Sequence, residues 1–205
     1  MPPPPYTITF TRPLRGHKEN AMRIIAGEAR GRKLKSVPGE GTRPTSDRVK
    51  ESMFNILQFH LEGRRVLDLY AGTGQLGAEA LSRGARECVF VEQSGAAADV
   101  IRENTRFFEK RAVVIVAEAL RWLTGTEERF DVVLLDPPYG SKLAQKTLEL
   151  VFSGNMLTKG GLLLCECRPD AWTPEPQPPY ALRRTYEYGN KRLLLYENRN
   201  LSGQL

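Results

Sequence analysis

The sequence is poor in the residues that build metal centres and disulfide frameworks. Its 205 residues include two histidines and three cysteines, and Cys88, Cys165 and Cys167 lie inside apolar runs typical of strands. An odd number of cysteines at such positions provides no disulfide framework. His17 and His60 lie near neither the cysteines nor a carboxylate cluster, so the sequence provides too few neighbouring ligands for a His/Cys metal site. We therefore expect small buried thiols and no bound metal.

Long apolar runs are also missing. No stretch approaches the roughly 20 consecutive apolar residues that a membrane span needs. The Pro-rich start MPPPPYTITF lacks the apolar segment of a signal peptide. We expect a soluble, cytoplasmic, monomeric protein with no membrane contact. The length suits one well-buried core plus an appendage rather than two catalytic domains.

Positive charge is concentrated at the amino-terminal end. Residues 1–50 hold eleven lysines and arginines against four acids, whereas the other 155 residues hold 19 basic and 20 acidic groups. A patch of this kind attracts a polyanion through phosphate contacts and counterion release, so nucleic acid is the natural partner. A merely solvated face remains the alternative. The candidate nucleic-acid contacts are Arg23, Arg30, Arg32, Lys33, Arg43 and Arg48.

Three regions follow from the local patterns. Residues 1–21 lack periodicity and are expected to be disordered, or to precede a true start at Met22. Residues 22–45 predict a small basic hairpin arm with a Gly-containing turn. Residues 46–200 predict the catalytic domain, which opens with an amphipathic helix in TRPTSDRVKESMFNILQF.

The catalytic domain alternates apolar strand runs with helical segments. RRVLDLY, ECVFVE, VVIVAE, FDVVLLD and GLLLCEC are separated by helices, and two strand-like runs joined at Gly189-Asn190 end the chain. Such alternation predicts βαβ units and a parallel sheet, and the Gly-Asn dipeptide predicts a tight hairpin turn. We expect an α/β fold with a mostly parallel seven-stranded sheet, helices on both faces and a C-terminal antiparallel hairpin.

A glycine-rich turn follows the first of these strands. In LDLYAGTGQLG, Gly72, Gly74 and Gly77 let the backbone turn tightly and approach a ligand at a helix N-terminus. The spacing also fits a dinucleotide site, with Glu92 ending the next strand as the ribose acceptor. The negative charge of Asp68 would attract an ammonium and repel a pyrophosphate, which favours a methionine-containing cofactor over NAD.

The tetrapeptide DPPY ends the fourth strand of this domain. Ligands of open α/β sheets bind at the carboxyl ends of strands, so Asp136 should face the cofactor cleft. Its carboxylate and the carbonyl of Pro137 can accept the two N–H bonds of an aromatic amino group. Pro137 and Pro138 restrict the backbone, and Tyr139 offers a face on which an extruded base can stack. An ordinary half-buried tyrosine is the alternative for Tyr139.

Weaker candidates lie around these motifs. Glu118, at the end of the third strand, is a candidate acceptor for the adenine amino group of a cofactor, with a helix-capping carboxylate as the alternative. Tyr70, inside the glycine-rich motif, is a further candidate cofactor contact.

Taken together, the motifs resemble the bacterial RsmD family of 16S rRNA guanine-N2 methyltransferases. The resemblance rests on MRIIAGEARGRKL, TRPTSDRVKESMFNIL, LDLYAGTGQLGAEALSRGA, VFVE, DPPY and YGNKRLLLYE, in that order. It implies a Rossmann-like class I methyltransferase fold, S-adenosylmethionine (SAM) as methyl donor, and a guanine of 16S rRNA in assembling small subunits as acceptor. It also implies that Asp68, Gly72 and Gly74 form the cofactor loop, that Glu92 binds the ribose, and that residues 136–139 are catalytic. Glu118 stands where aspartate is more familiar, and residues 1–21 have no counterpart.

Other functions remain open from the residues alone. An adenine-N6 methyltransferase acting on RNA or DNA would use the same DPPY chemistry, although no separate DNA-recognition domain is present. A protein glutamine methyltransferase usually carries Asn where Asp136 stands. A non-catalytic RNA-binding assembly factor would keep the basic arm without needing Asp136 and Tyr139. The chemistry of an NAD oxidoreductase does not require a DPPY motif, which argues against that function.

Overall fold

The computed structural model describes residues 7–9, 22–37, 47–138, 142–171 and 173–200, with the backbone alone for residues 7–9, 47 and 48. Five helices and eight strands are described in these ranges. In chain order they are β1 (Thr7–Thr9), α1 (Asp47–Ile56), β2 (Arg65–Leu69), α2 (Gln75–Ser82), β3 (Glu87–Glu92), α3 (Gly95–Thr105), β4 (Ala112–Val116), α4 (Ala119–Gly125), β5 (Phe130–Leu135), α5 (Leu143–Ser153), β6 (Leu157–Cys167), β7 (Tyr180–Tyr188) and β8 (Lys191–Asn198). A 3-10 segment, Arg106–Arg111, joins α3 to β4.

The strands form one mixed sheet in the order β1-β7-β8-β6-β5-β2-β3-β4. Strands β2 to β6 pair in parallel with one another, and β8 pairs antiparallel with both β6 and β7. The predicted parallel sheet and C-terminal hairpin are therefore confirmed. The eighth strand was not predicted: Thr7–Thr9 pairs in parallel with β7, inside the region expected to be disordered. A three-residue edge strand carries too little periodicity to be recognised in sequence.

Helices cover both faces of the sheet. Successive strand residues point to opposite sides, so the apolar strands present a hydrophobic surface on each face. Val66 in β2 faces one core, which α1, α2 and α3 cover with residues such as Phe54 and Ile101. Leu67 faces the other core, which α4 and α5 cover with residues such as Leu148. Strands buried on both faces are near-continuous apolar runs, which is the pattern that made the sheet predictable.

The basic arm is packed onto the domain rather than hanging from it. In its described part, residues 22–37, a single antiparallel bridge joins Arg23 to Lys33, so the predicted hairpin exists without regular strands. The carboxylate of Glu79, buried in α2, accepts hydrogen bonds from the amides of Ile25 and Ala26 at 2.7 and 3.0 Å. The buried ammonium of Lys50 donates to the Arg23 carbonyl at 2.5 Å. These bonds attach the arm to the domain, while backbone hydrogen bonds such as Ile24 N–H to the Arg32 carbonyl at 3.0 Å hold its two halves together.

None of the described helices is long and apolar enough to cross a membrane. The described histidines, cysteines and carboxylates form no group of three or more that could hold a metal ion. Cys88, Cys165 and Cys167 are buried, as predicted, and free.

Candidate active site

Three predicted site residues meet at the carboxyl edge of the sheet. Leu69 of β2 is in register with Val91 of β3 and with Leu135 of β5. The next residue on each strand is therefore at the same level, which brings Tyr70, Glu92 and Asp136 side by side. Parallel pairing alone produces this convergence, because it aligns the carboxyl ends of neighbouring strands.

A cavity of about 420 Å³ opens at this edge. Five of the predicted cofactor residues line it. They are Asp68, Tyr70, Gly72, Glu92 and Asp136. Gly74 is outside the lining: with φ of 76° it caps α2, and a Cβ added there would lie 3.1 Å from Ile101. Its contribution is to turn the chain into the helix.

Asp68 is a buried carboxylate at the start of the glycine-rich turn. Its Oδ2 accepts a hydrogen bond from the amide of Gly77 at 2.8 Å, and the residue is 1% exposed. Burial raises the pKa of Asp68 well above its usual value, and the charges of Asp136 and Glu92 raise that pKa further. A carboxylate in such a place is stabilised by a cation delivered to the cavity.

Glu92 is oriented by two backbone amides. Its Oε2 accepts from Gly72 and its Oε1 accepts from Ser94, both at 2.8 Å. Each carboxylate oxygen can accept more than one hydrogen bond, so the two amides position Glu92 while leaving acceptor capacity toward the cavity. Gly72 has a positive φ of 56° in the turn that follows β2, and its amide contacts this carboxylate.

Tyr70 is held across the sheet edge by α5. Its hydroxyl shares a hydrogen bond with Thr147 Oγ1 at 2.8 Å, and its φ of 59° is left-handed. Left-handed backbone at a non-glycine residue is uncommon and costs energy. The surrounding packing therefore imposes the conformation that places this ring in the cavity wall.

Asp136 follows β5 directly, and Pro137 and Pro138 line the cavity with it. Pro137 is buried, Asp136 is partly buried and Pro138 is exposed. Tyr139 lies outside the described residues, so its predicted stacking role stays a prediction. The arrangement provides a carboxylate on a rigid backbone, facing the same space as Asp68 and Glu92.

Glu118 does not line the cavity. It is exposed and caps α4, with its carboxylate accepting from the amides of Leu120 and Arg121 at 3.1 and 2.7 Å. This is the helix-capping role that the sequence left as the alternative. Both oxygens are engaged there because Glu118 directly precedes the first turn of the helix.

The basic arm supplies part of the cavity wall. Met22 and Val37, at the two ends of its described part, line the cavity. The amide of Asn104 in α3 donates to the carbonyls of Lys35 and Thr73, at 3.1 and 2.9 Å. The arm and the glycine-rich loop are thus joined through one side chain. No periodicity or motif in the sequence points to this contact.

Lys191, from the C-terminal hairpin, also lines the cavity. Its Nζ lies 2.5 Å from Oε1 of Glu166, a buried carboxylate of β6. Because Leu135 is paired with Cys165, the next residue in each strand brings Glu166 beside Asp136. The hairpin thereby adds a cation to a wall otherwise rich in carboxylates.

The nucleic-acid candidates are only partly described. Arg23, Arg30, Arg32 and Lys33 are all exposed on the arm. Arg43 lies outside the described residues, and the side chain of Arg48, in α1, is not described. The four described cations therefore lie exposed on the arm whose two ends, Met22 and Val37, line the cavity.

Comparison with known proteins identifies relatives along nearly the whole chain. A family model described as Conserved hypothetical protein 95 matches residues 22–197. Ribosomal RNA small subunit methyltransferase D of Haemophilus influenzae is 37% identical over 182 residues, covering 86% of this chain and 94% of that protein. The Escherichia coli protein of the same name is 32% identical over 177 residues, covering 86% and 89%.

The fold is matched by a solved structure. That of yhhF from Escherichia coli superimposes with a TM-score of 0.79 at 30% identity, covering 87% of this chain and 98% of the other. Because family model, relatives and fold agree over most of the chain, it belongs to the Conserved hypothetical protein 95 family, that of the ribosomal RNA small subunit methyltransferases D, and is a Rossmann-like methyltransferase.

Proposed function

We propose that the protein transfers a methyl group from SAM to the exocyclic N2 amino group of a guanine in small-subunit rRNA, on assembling 30S particles. The observation that carries the proposal is the meeting of Asp136-Pro137-Pro138 with the glycine-rich loop in one cavity. The relatives' names support rRNA as the substrate. The choice of guanine N2 rests on the resemblance of the motifs to the RsmD family.

The residues that line the cavity fit SAM. Asp68, with a pKa raised by burial, suits the ammonium of the methionine moiety. Glu92, held by two amides, suits the ribose hydroxyls. Ala97, Ala117 and Ala119 provide apolar lining for a flat aromatic base. When bound, SAM supplies an electrophilic methyl group on a sulfonium.

Asp136 and the Pro137 carbonyl act on the acceptor amine. The lone pair of an exocyclic amino nitrogen is delocalised into the base, which makes it a poor nucleophile. Two acceptors fixed around its N–H bonds draw the nitrogen toward a tetrahedral geometry and localise the lone pair. As the N–C bond forms, one N–H proton must leave, and the Asp136 carboxylate is the adjacent base.

Methyl transfer from labelled SAM tests the proposal directly. The substrates are small-subunit particles and naked rRNA that both lack endogenous methylation, and the products are analysed as nucleosides. N2-methylguanosine is the expected product. Methyladenosine would retain the Asp136 chemistry but overturn the guanine assignment, and SAM binding without transfer to either substrate would contradict the RNA assignment.

The affinity for SAM is expected to rise with pH through the raised pKa of Asp68. The ionised carboxylate binds the ammonium, and ionisation is complete only above that pKa, so the affinity falls by up to about tenfold per pH unit below it. In the absence of SAM, rising pH has the opposite effect on the stability of the protein. The folded state holds the Asp68 proton more tightly than the unfolded state does, so ionisation of Asp68 with rising pH lowers the free energy of unfolding.

Calorimetric titration with SAM over a pH series that begins near the usual pKa of an aspartate and rises from there measures this dependence. Asp68→Asn should weaken binding by about tenfold or more and reduce the pH dependence. Asp99→Asn, which alters an exposed carboxylate of α3 outside the cavity lining, is the matched control and should retain both the affinity and its pH dependence. A pH-independent affinity in the wild type, or unchanged affinity in Asp68→Asn, would contradict the assignment of Asp68.

Replacing Arg30, Arg32 and Lys33 together by alanine is expected to weaken rRNA binding and to flatten its salt dependence. Each phosphate contact contributes about 0.7 to 0.9 to the slope of log affinity against log salt, so the slope should fall by up to about 2 to 3. Filter binding of an rRNA transcript over a salt series measures it.

A matched triple variant removes three exposed cations outside the arm, Arg121, Arg129 and Lys159. It should retain the wild-type slope. Equal slopes for the wild type and the arm variant would exclude the arm from the RNA-binding surface.

A further inference from the structure

An exposed aromatic ring lies beneath an arginine of the basic arm. The guanidinium carbon of Arg32 is 4.4 Å from the ring centroid of Phe107, in the 3-10 segment after α3. Phe107 is 44% exposed, whereas its neighbour Phe108 is 2% exposed and meets it edge-on, with centroids 5.3 Å apart. Phe108 therefore anchors the segment, while Phe107 faces outward with Arg32 over it. We call this pair the Arg32–Phe107 platform.

The platform is rigidly mounted between the arm and the domain. Arg111, at the end of the 3-10 segment, forms an ion pair with Glu28 of the arm. On the α3 side, Lys35 forms an ion pair with Glu103, and the Lys35 amide donates to Asn104 at 2.8 Å. A pre-positioned flat surface loses little entropy when a ligand stacks on it.

Cations surround the platform. Arg30 and Lys33 on the arm and Arg106 and Lys110 on the 3-10 segment are exposed, and none of the four forms an ion pair with a described residue. Glu28 and Glu103 are already paired with Arg111 and Lys35, and the exposed Glu109 of the 3-10 segment offsets one of the four cations. The surroundings of the ring are therefore positive, which suits a polyanion rather than an apolar protein partner.

We propose that the Arg32–Phe107 platform stacks an unpaired base of the RNA substrate, while the four surrounding cations contact the flanking phosphates. Unpaired RNA bases stack on aromatic rings and on guanidinium planes, whatever their identity. The arm leads from the cavity wall, at Met22 and Val37, to the turn that carries Arg32. RNA with its target base in the cavity can follow the arm to the platform. This inference rests on the proposed rRNA substrate.

Two substitutions separate stacking from charge. Phe107→Ala removes the ring and the support of Arg32 and should weaken binding of a small-subunit rRNA transcript by about fivefold or more, with an unchanged salt slope. Arg32→Lys keeps the charge but loses the planar guanidinium, so it should also weaken binding without changing the slope. Phe107→Trp, which retains an aromatic face, should bind the transcript with an affinity close to that of the wild type.

Two control variants test the loss of an unrelated ring and the loss of a charge. Phe59→Ala removes a ring that is 86% exposed and distant in sequence from the platform, and it should bind RNA as the wild type does. Lys33→Ala should lower the salt slope by about 0.7 to 0.9. Retained SAM binding in each variant shows that it is folded.

The outcomes distinguish this inference from the proposed function. If the wild type methylates rRNA but Phe107→Ala binds the transcript with wild-type affinity, the platform is overturned while the function stands. Weakened binding to particles alone, with unchanged binding to naked RNA, overturns it in favour of a protein contact. If the wild type binds no rRNA, the proposed function fails first.

Discussion

Replacing Asp136 by alanine is expected to lower the turnover number by about 100- to 1000-fold, while the affinity for SAM changes by less than about threefold. The range is that for losing one pre-positioned group that stabilises developing charge. Asp136 lines the same cavity as Asp68 and Glu92, but it follows β5 on the backbone of two prolines. Its carboxylate is therefore expected to act on the acceptor amine rather than to hold the cofactor.

Single-turnover methyl transfer and calorimetric SAM binding measure the two effects separately. Asp136→Asn is the informative second variant, because it keeps the shape and one acceptor oxygen but removes the charge and the base. It should retain more activity than Asp136→Ala if hydrogen bonding dominates, and equally little if proton uptake dominates. A parallel loss of SAM affinity and turnover in Asp136→Ala would assign the residue to the cofactor site instead.

Gly77→Ala is expected to lower the free energy of unfolding by about 2 kcal/mol or more, and so to lower Tm by about 4 to 8 °C. A Cβ at this position would lie 2.1 Å from Cε1 of Phe90 and 2.7 Å from Sγ of Cys88. Phe90 is completely buried, so its ring has no open space to move into. Helix α2 must therefore shift away from the sheet.

The same shift should weaken SAM binding, because the Gly77 amide donates to Asp68 at 2.8 Å. Thermal unfolding and SAM titration of the variant measure both effects. Gly95→Ala is the matched control: Gly95 begins α3, and a Cβ there would meet nothing within 4 Å. It should change the free energy of unfolding by less than about 1 kcal/mol, in the stabilising direction. Equal stability of the two variants would contradict the packing argument.

The predicted parts of the fold are those that depend on local pattern. Strand β5 is an apolar run, FDVVLL, and strands of this kind are buried on both faces, so their composition identifies them. Helix α1 was predicted from its apolar spacing and is found at Asp47–Ile56. The meeting of Tyr70, Glu92 and Asp136 also follows from sequence, because parallel strands align their carboxyl ends.

The missed parts depend on contacts between distant residues. Glu118 was ambiguous because an acid after a strand and before a helix suits both a ligand contact and an N-cap, and its bonds to Leu120 and Arg121 identify the cap. No sequence pattern predicts the burial of Glu79, because its partners, Ile25 and Ala26, are more than 50 positions away. Such pairings depend on how α2 packs against the arm.

The amino-acid sequence by itself determined the α/β class, the parallel sheet, the glycine-rich loop and the placement of Asp136 at a strand end, because each arises from residues close together in the chain. Only the tertiary structure decided that the basic arm closes the cavity with Met22 and Val37, that Asn104 joins it to Thr73, and that Phe107 lies beneath Arg32. Those contacts join side chains far apart in sequence, and their geometry exists only once the helices have packed on the sheet.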